Sequence, residues 1–228
     1  MKTPSDKALL KPAAGAPAPA DKPWLVRIPN IFSPVAEEVL ERFKATAVKR
    51  LGADYYMVKV PNGRVFRHSE AAMFAQWNLP MEQTWPCNPQ KMESFIEKAA
   101  QTLLDKFEHR KPQMLVVGRL NAGSPDPYYK HMAMNLRGRM VQVFPPFKVK
   151  EVEEQDPTAE TLFCLVGKEG LYAGMQSPRE CNGFYAGGSK FVGGDASSKI
   201  SRAGGKLAEA LHYLLMYRPA IPAGRRWL

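Results

Sequence analysis

The chain has 228 residues, 45% of them hydrophobic, with a formal net charge of +10, which is enough for one or two packed domains of ordinary size. No run of 18 apolar residues occurs, and the start Met1-Lys2-Thr3-Pro4-Ser5-Asp6 has neither an apolar core nor a small-residue cleavage pattern, so no membrane span or signal peptide is indicated and the default location is cytoplasmic. Cys87, Cys164 and Cys181 lie far apart without Cys/His ligand spacing, which argues against a disulfide framework and structural zinc and leaves ordinary free thiols.

Residues 1–22 are rich in Ala, Pro and Lys, have little to bury, and read as a disordered tail. Residues 24–28 form a short apolar strand. Ser33 and Pro34 then supply a cap and a first-turn proline for a helix ending at Gly52, with Glu37 and Glu38 early, Lys49 and Arg50 late, and Val35, Val39, Phe43, Ala47 and Leu51 as its buried stripe. Residues 55–60 and 64–68 flank Pro61-Asn62-Gly63 as a hairpin, and 69–77 is a short helix. A turn-rich connector over 85–89 leads into a helix from about 90 to 109, with Met92, Phe95, Ile96, Ala99, Leu103 and Phe107 on one side. A buried strand over 114–120 follows. Asp126-Pro127 opens a third helix to about 142, which displays Lys130, His131, Arg137 and Arg139 around Met132, Leu136 and Met140. Residues 161–166 and 171–175 pair as a hairpin through Lys168-Glu169-Gly170. Helices alternate with strands throughout and no repeat is present, so the class is α/β (α+β).

The positive charge is localised. Residues 111–150 hold seven Lys/Arg against one Asp/Glu, residues 178–228 hold eight against three, and between them 151–160 carries five acids and no base. Localised basic surface suits phosphate backbones. The glycine-rich stretch 176–200 interleaves Phe184, Tyr185 and Phe191 with Arg179, Lys190 and Lys199; it either stacks on unpaired bases and touches phosphates, or links domains and anchors itself through its aromatics. His68, His109, His131 and His212 have no metal-ligand spacing. The segment Ala203-Gly204-Gly205-Lys206-Leu207 lacks both the preceding glycine and the following Ser/Thr of a phosphate loop.

The string Ser201-Arg202-Ala203-Gly204-Gly205-Lys206-Leu207-Ala208-Glu209 resembles the lead-in helix of FtsJ-like RNA ribose 2'-O-methyltransferases. Together with Leu171-Tyr172-Ala173-Gly174 and Phe184-Tyr185-Ala186-Gly187-Gly188, it resembles the bacterial 23S rRNA ribose methyltransferases of the M type over roughly the last 60 residues. The resemblance implies a ferredoxin-like unit over 23–84, a THUMP-like RNA-binding domain over 85–177, a basic glycine-rich linker over 178–200, and from 201 the first helix of a truncated Rossmann-like methyltransferase domain. The Asp-Leu-Gly-Ala-x-Pro-Gly-Gly loop that holds S-adenosylmethionine in that family is absent from the 228 residues, and no metal is implied. The expectation is therefore the RNA-binding front part of the enzyme, partnered by 23S rRNA or its precursor and unable to methylate alone.

Of the family's Lys, Asp, Lys, Glu catalytic set only the first lysine has a counterpart, Lys206, whose implied task is to orient or deprotonate the ribose 2'-hydroxyl. Gly204 and Gly205 depart from the pattern, each costing roughly 1 kcal/mol relative to alanine in a helix. Arg137, Arg139, Arg179, Phe184, Tyr185, Lys190, Lys199 and Arg202 are the expected RNA contacts. An apolar stripe of Leu207, Leu211, Leu214 and Leu215 on helix 202–217 favours self-association if nothing covers it. The alternative is a stand-alone RNA-binding or protein-recruiting module without catalysis.

Overall fold

Strand β1 (Trp24–Arg27) is apolar at consecutive positions because both of its faces are buried, and that fact decides the architecture. The computed structural model describes residues 22–75, 77–86, 88–120, 126–144 and 156–181. After β1 come a 3-10 turn (Asn30–Val35), α1 (Ala36–Arg42), β2 (Thr46–Leu51), β3 (Tyr55–Lys59), α2 (Val65–His68), a second 3-10 turn (Glu70–Phe74) and β4 (Trp77–Pro80). The sheet order is β2-β3-β1-β4 and every neighbouring pair is antiparallel. Strand, helix, strand, strand, helix, strand in that order is the ferredoxin-like arrangement.

The first unit corrects several local expectations. The helix expected to run to Gly52 stops at Arg42; Lys44 adopts a left-handed backbone (φ 53), and Thr46–Leu51 is a strand. The β-branched Thr46 and Val48 suit a pleated edge, and the reversal carries Leu51 into a core that a continued helix would not reach. Of the expected stripe, Val39 and Phe43 are buried beside Ala36 and Leu40, whereas Val35 and Ala47 are exposed. Gly52, at φ 61, opens the three-residue turn between β2 and β3 rather than closing a helix. Residues 64–68 are not a strand either. The Asn62 side chain accepts the Arg64 N–H at 2.9 Å, a local turn that starts α2 in place of a hairpin. The helix expected through Trp77 ends at Phe74, and Trp77 begins β4.

The second unit follows its expected order closely. It comprises β5 (Gln83–Trp85), α3 (Met92–Phe107) with a 3-10 extension (Glu108–Arg110), β6 (Met114–Arg119), α4 (Pro127–Val143), β7 (Thr161–Gly167) and β8 (Gly170–Gln176). The sheet order is β5-β8-β7-β6, with β6 and β7 parallel across the α4 crossover and the other pairs antiparallel. Strand β5 straddles the 84/85 boundary expected from the sequence. The fold class is thus mixed α+β, with one antiparallel and one mixed sheet.

Residue alternation builds four layers. Trp24, Val26 and Ile28 face α1 and the short helical turns, while Leu25 between them faces the second sheet. In β7, Leu162, Cys164 and Val166 face α3 and α4, while Phe163 and Leu165 face the first sheet. The order is helices, first sheet, second sheet, helices, with Leu25, Leu51, Tyr55, Trp77 and Leu79 meeting Val116, Leu120, Phe163, Leu165 and Tyr172 in the middle. Trp77 stands edge-on to Phe163 with ring centroids 4.9 Å apart.

Where β8 crosses β4, a Cβ on Gly174 would overlap the backbone carbonyl oxygen of Pro80. Gly174→Ala therefore has to push the sheets apart and should cost about 1–3 kcal/mol in urea denaturation. Cys164 and Cys181 are free, fully buried thiols whose pKa values are raised by desolvation. They should react with thiol reagents only as the protein opens, so their labelling rate should rise in step with the unfolding transition.

Candidate nucleic-acid interface

A four-stranded ferredoxin-like sheet can offer its helix-free face to unpaired bases when aromatic side chains stand exposed on it. Here that face carries Tyr55 and Trp77, and both are buried under the second sheet. Burial also holds the Tyr55 hydroxyl well above its ordinary pKa. Neither ring can stack on a base from that face, so among the described residues the candidate surfaces are helices and sheet edges.

The expected basic helix is α4. Asp126 caps it by accepting the Tyr128 N–H at 2.9 Å, and Pro127 occupies the first turn. Met132, Ala133, Leu136 and Met140 are buried against α3 and the second sheet. The start of the helix is fixed from the side. The Tyr128 hydroxyl lies 3.0 Å from the carbonyl oxygens of both Pro89 and Gln90, and the Tyr129 hydroxyl bonds the Asn88 side chain at 2.8 Å. Partial desolvation, then the neighbouring Asp126 carboxylate, raises the Tyr129 pKa above its ordinary value.

The opposite face of α4 presents Lys130, His131, Met134, Arg137 and Val141 to solvent, and the helix itself contains no acidic residue. Arg137 and Lys130 make no ion pair among the described residues. Arg139 differs from them: its guanidinium meets Glu97 of α3 at 3.0 Å and Gln142 at 3.2 Å, so part of its charge is spent holding α4 to α3. Arg179 sits half-buried in the turn after β8, its N–H bonded to the Pro157 carbonyl at 3.0 Å.

The other expected contacts, Phe184, Tyr185, Lys190, Lys199 and Arg202, lie outside the described residues, as do Lys206 and helix 202–217. One cationic strip was missed from the sequence. Lys44, Lys49, Arg50 and Lys59 are all exposed on and beside β2, a segment expected to end a helix. The β-branched residues within 46–51 were the available signal. Among the described residues no cluster of His, Cys, Asp and Glu could hold a metal ion, and no helix is long and apolar enough to cross a membrane.

No known family and no curated protein matches the sequence. Among solved structures, a 4-thiouridine synthetase in complex with RNA and bound ATP aligns over 68% of this chain and 41% of its own, at 12% identity and a TM-score of 0.37. The protein PH1313 from Pyrococcus horikoshii Ot3 aligns over 68% of this chain and 54% of its own, at 10% identity and a TM-score of 0.39. The aligned region thus spans about half of each of those chains.

Asp126→Ala should cost about 1 kcal/mol through loss of the cap. Arg139→Ala should cost no more than about 1 kcal/mol, because its pair with Glu97 is solvent-exposed. Chemical denaturation of the two variants checks both values.

Proposed function

We propose that this chain binds RNA as a module of an RNA-modifying protein. In the form implied by the sequence resemblance, a ferredoxin-like and a THUMP-like unit bring large-subunit 23S rRNA to a SAM-dependent ribose 2'-O-methyltransferase. The observation that carries the RNA-binding reading is the outward face of α4. It is a rigidly held, acid-free helix surface with Lys130 and Arg137 exposed and Arg139 alongside. Lys and Arg on such a surface neutralise phosphates and release their counterions.

Arg179, Phe184, Tyr185, Lys190, Lys199 and Arg202 would extend the contact, the cations to phosphates and the rings to unpaired bases. Lys206 would act at the ribose, holding or taking the 2'-hydroxyl proton as the oxygen attacks the methyl donor. S-adenosylmethionine would supply that methyl group from a segment whose glycine-rich motif these 228 residues do not contain.

A second reading, recruitment of a protein without catalysis, is favoured by Met134 and Val141. They are 59% and 39% exposed on the same face of α4, and a purely phosphate-binding surface has no need of them.

The test is binding of a labelled 23S rRNA fragment across a salt series. Log affinity should fall linearly with log salt, and Arg137→Gln should flatten that slope by about one. A chain that shows no salt-dependent RNA affinity sinks the reading and leaves protein recruitment.

A further inference from the structure

Strand β2 is built unlike the other strands. Five of its six residues, Thr46 to Arg50, are exposed, and only Leu51 is buried. Consecutive residues point to opposite faces of a strand, so β2 overhangs both the helical layer on one side and the second sheet on the other. The register along β3 assigns the faces. Lys49 opposes Met57 and Thr46 opposes Lys59 on the side of the second sheet, while Arg50 opposes Tyr56 on the helical side. The register shift between Ala47 and Lys49 marks a bulge at Val48, which is itself 53% exposed.

The charge on this overhang is of one sign. Residues 43–53 contain Lys44, Lys49 and Arg50 and no carboxylate, and Lys59 stands on the neighbouring strand. Asp54, the first acid beyond, is engaged by Arg27 at 3.0 Å. Lys49 and Lys59 share a face in diagonal positions, about 7–8 Å apart at the backbone for such a pair.

A lysine on an edge strand commonly serves only to block pairing with another chain. Arg50 is arranged for more than that. Its guanidinium donates to the Ala53 carbonyl at 2.8 Å and lies over the Tyr56 ring, 5.5 Å from its centroid. A guanidinium has five N–H donors, so this anchoring fixes the group while leaving donors free to face solvent. Little rotamer freedom then remains to be lost on binding.

We propose that the β2 overhang is a second RNA contact, in which Lys49 and Lys59 engage the phosphodiester backbone on one face of the strand and the anchored Arg50 engages it on the other. Lys44 adds to the local positive field. The inference rests on the RNA-binding reading above and extends it to the unit opposite α4.

The test uses the full chain and one labelled RNA stem-loop with a single-stranded flank, measured over a salt series for wild type, Lys49→Gln/Lys59→Gln and Arg137→Gln. The double variant should bind more weakly, with a salt slope flatter by about 1.5–2, and should melt at the wild-type temperature because both side chains are exposed. Arg50→Lys keeps the charge but loses the planar fork; it should weaken binding with little change of slope. An unchanged slope in the double variant overturns the proposal while Arg137→Gln still reports on α4. New self-association of the double variant with unaltered RNA affinity also overturns it, and assigns the lysines to edge protection. Absence of salt-dependent binding by the wild-type chain overturns both this proposal and the reading on which it rests.

Discussion

The burial of two sheets against each other is the constraint from which the rest of the molecule follows. Strands β1, β7 and β8 carry apolar side chains on both faces, so each sheet needs a cover on both sides: helices outward and the other sheet inward. Close contact at the crossing is possible because Gly174 lies under the Pro80 carbonyl. Backbone bonds then join the two units directly. The Asn78 N–H donates to the Cys181 carbonyl at 2.9 Å and the Glu82 N–H to the Ala173 carbonyl at 3.0 Å. The Glu82 carboxylate adds a charged clasp, accepting from Arg110 at 2.6 and 2.7 Å and from the Met175 N–H at 3.2 Å. A shared core of this kind makes the ferredoxin-like unit and the second unit a single packed body, since neither could keep its inner face dry alone.

Function is shaped by what this core removes. The aromatics that could have stacked bases on the first sheet are spent on packing, with Trp77 edge-on to Phe163 and the Tyr55 hydroxyl buried without a hydrogen-bond partner among the described residues. In the RNA-binding reading proposed above, recognition would fall to outer helices and strand edges, where long cationic side chains can reach phosphates but apolar platforms are few. On α4 the cap, the two tyrosine hydroxyls and the Arg139–Glu97 pair hold the helix before any ligand arrives. That preorganisation lowers the ordering cost of binding.

The second unit was legible in the sequence because its elements are long. The 16-residue α3 and 17-residue α4 show clear apolar spacing, and the β7–β8 hairpin is marked by a compact turn. The first unit is assembled from pieces of four to seven residues, too short for periodicity to separate helix from strand. The spacing of Val39, Phe43, Ala47 and Leu51 fits a helix by count, yet Phe43 packs with α1 and Leu51 in the core between the sheets. Misreading 46–51 as the end of a helix hid the cationic overhang, because Lys49 and Arg50 then looked like ordinary last-turn charges favoured by the helix dipole. Burial on both faces was equally hidden: a run such as Trp24-Leu25-Val26 is apolar whichever way its neighbours lie. The α4 arginines were found from charge alone, but only the structure separates Arg137, which faces solvent, from Arg139, which pairs with Glu97.

The placement of charge across the four layers bears on how one RNA could meet both surfaces. The β2 edge belongs to the first sheet and α4 to the layer outside the second, so at least the sheet-to-sheet spacing of about 10 Å separates them. Groups that far apart with no shared partners contribute independently to a free energy. Counterion release then distinguishes the geometries. If one RNA spans both surfaces, the losses in salt slope from the β2 lysines and from Arg137 add, because every phosphate contact belongs to the same complex. If the surfaces are alternative docking points, removing one leaves the other to dominate, and the slope settles at the value of the surviving site. Additivity of slopes therefore reports whether the nucleic acid wraps the edge of the double sheet or occupies one face at a time.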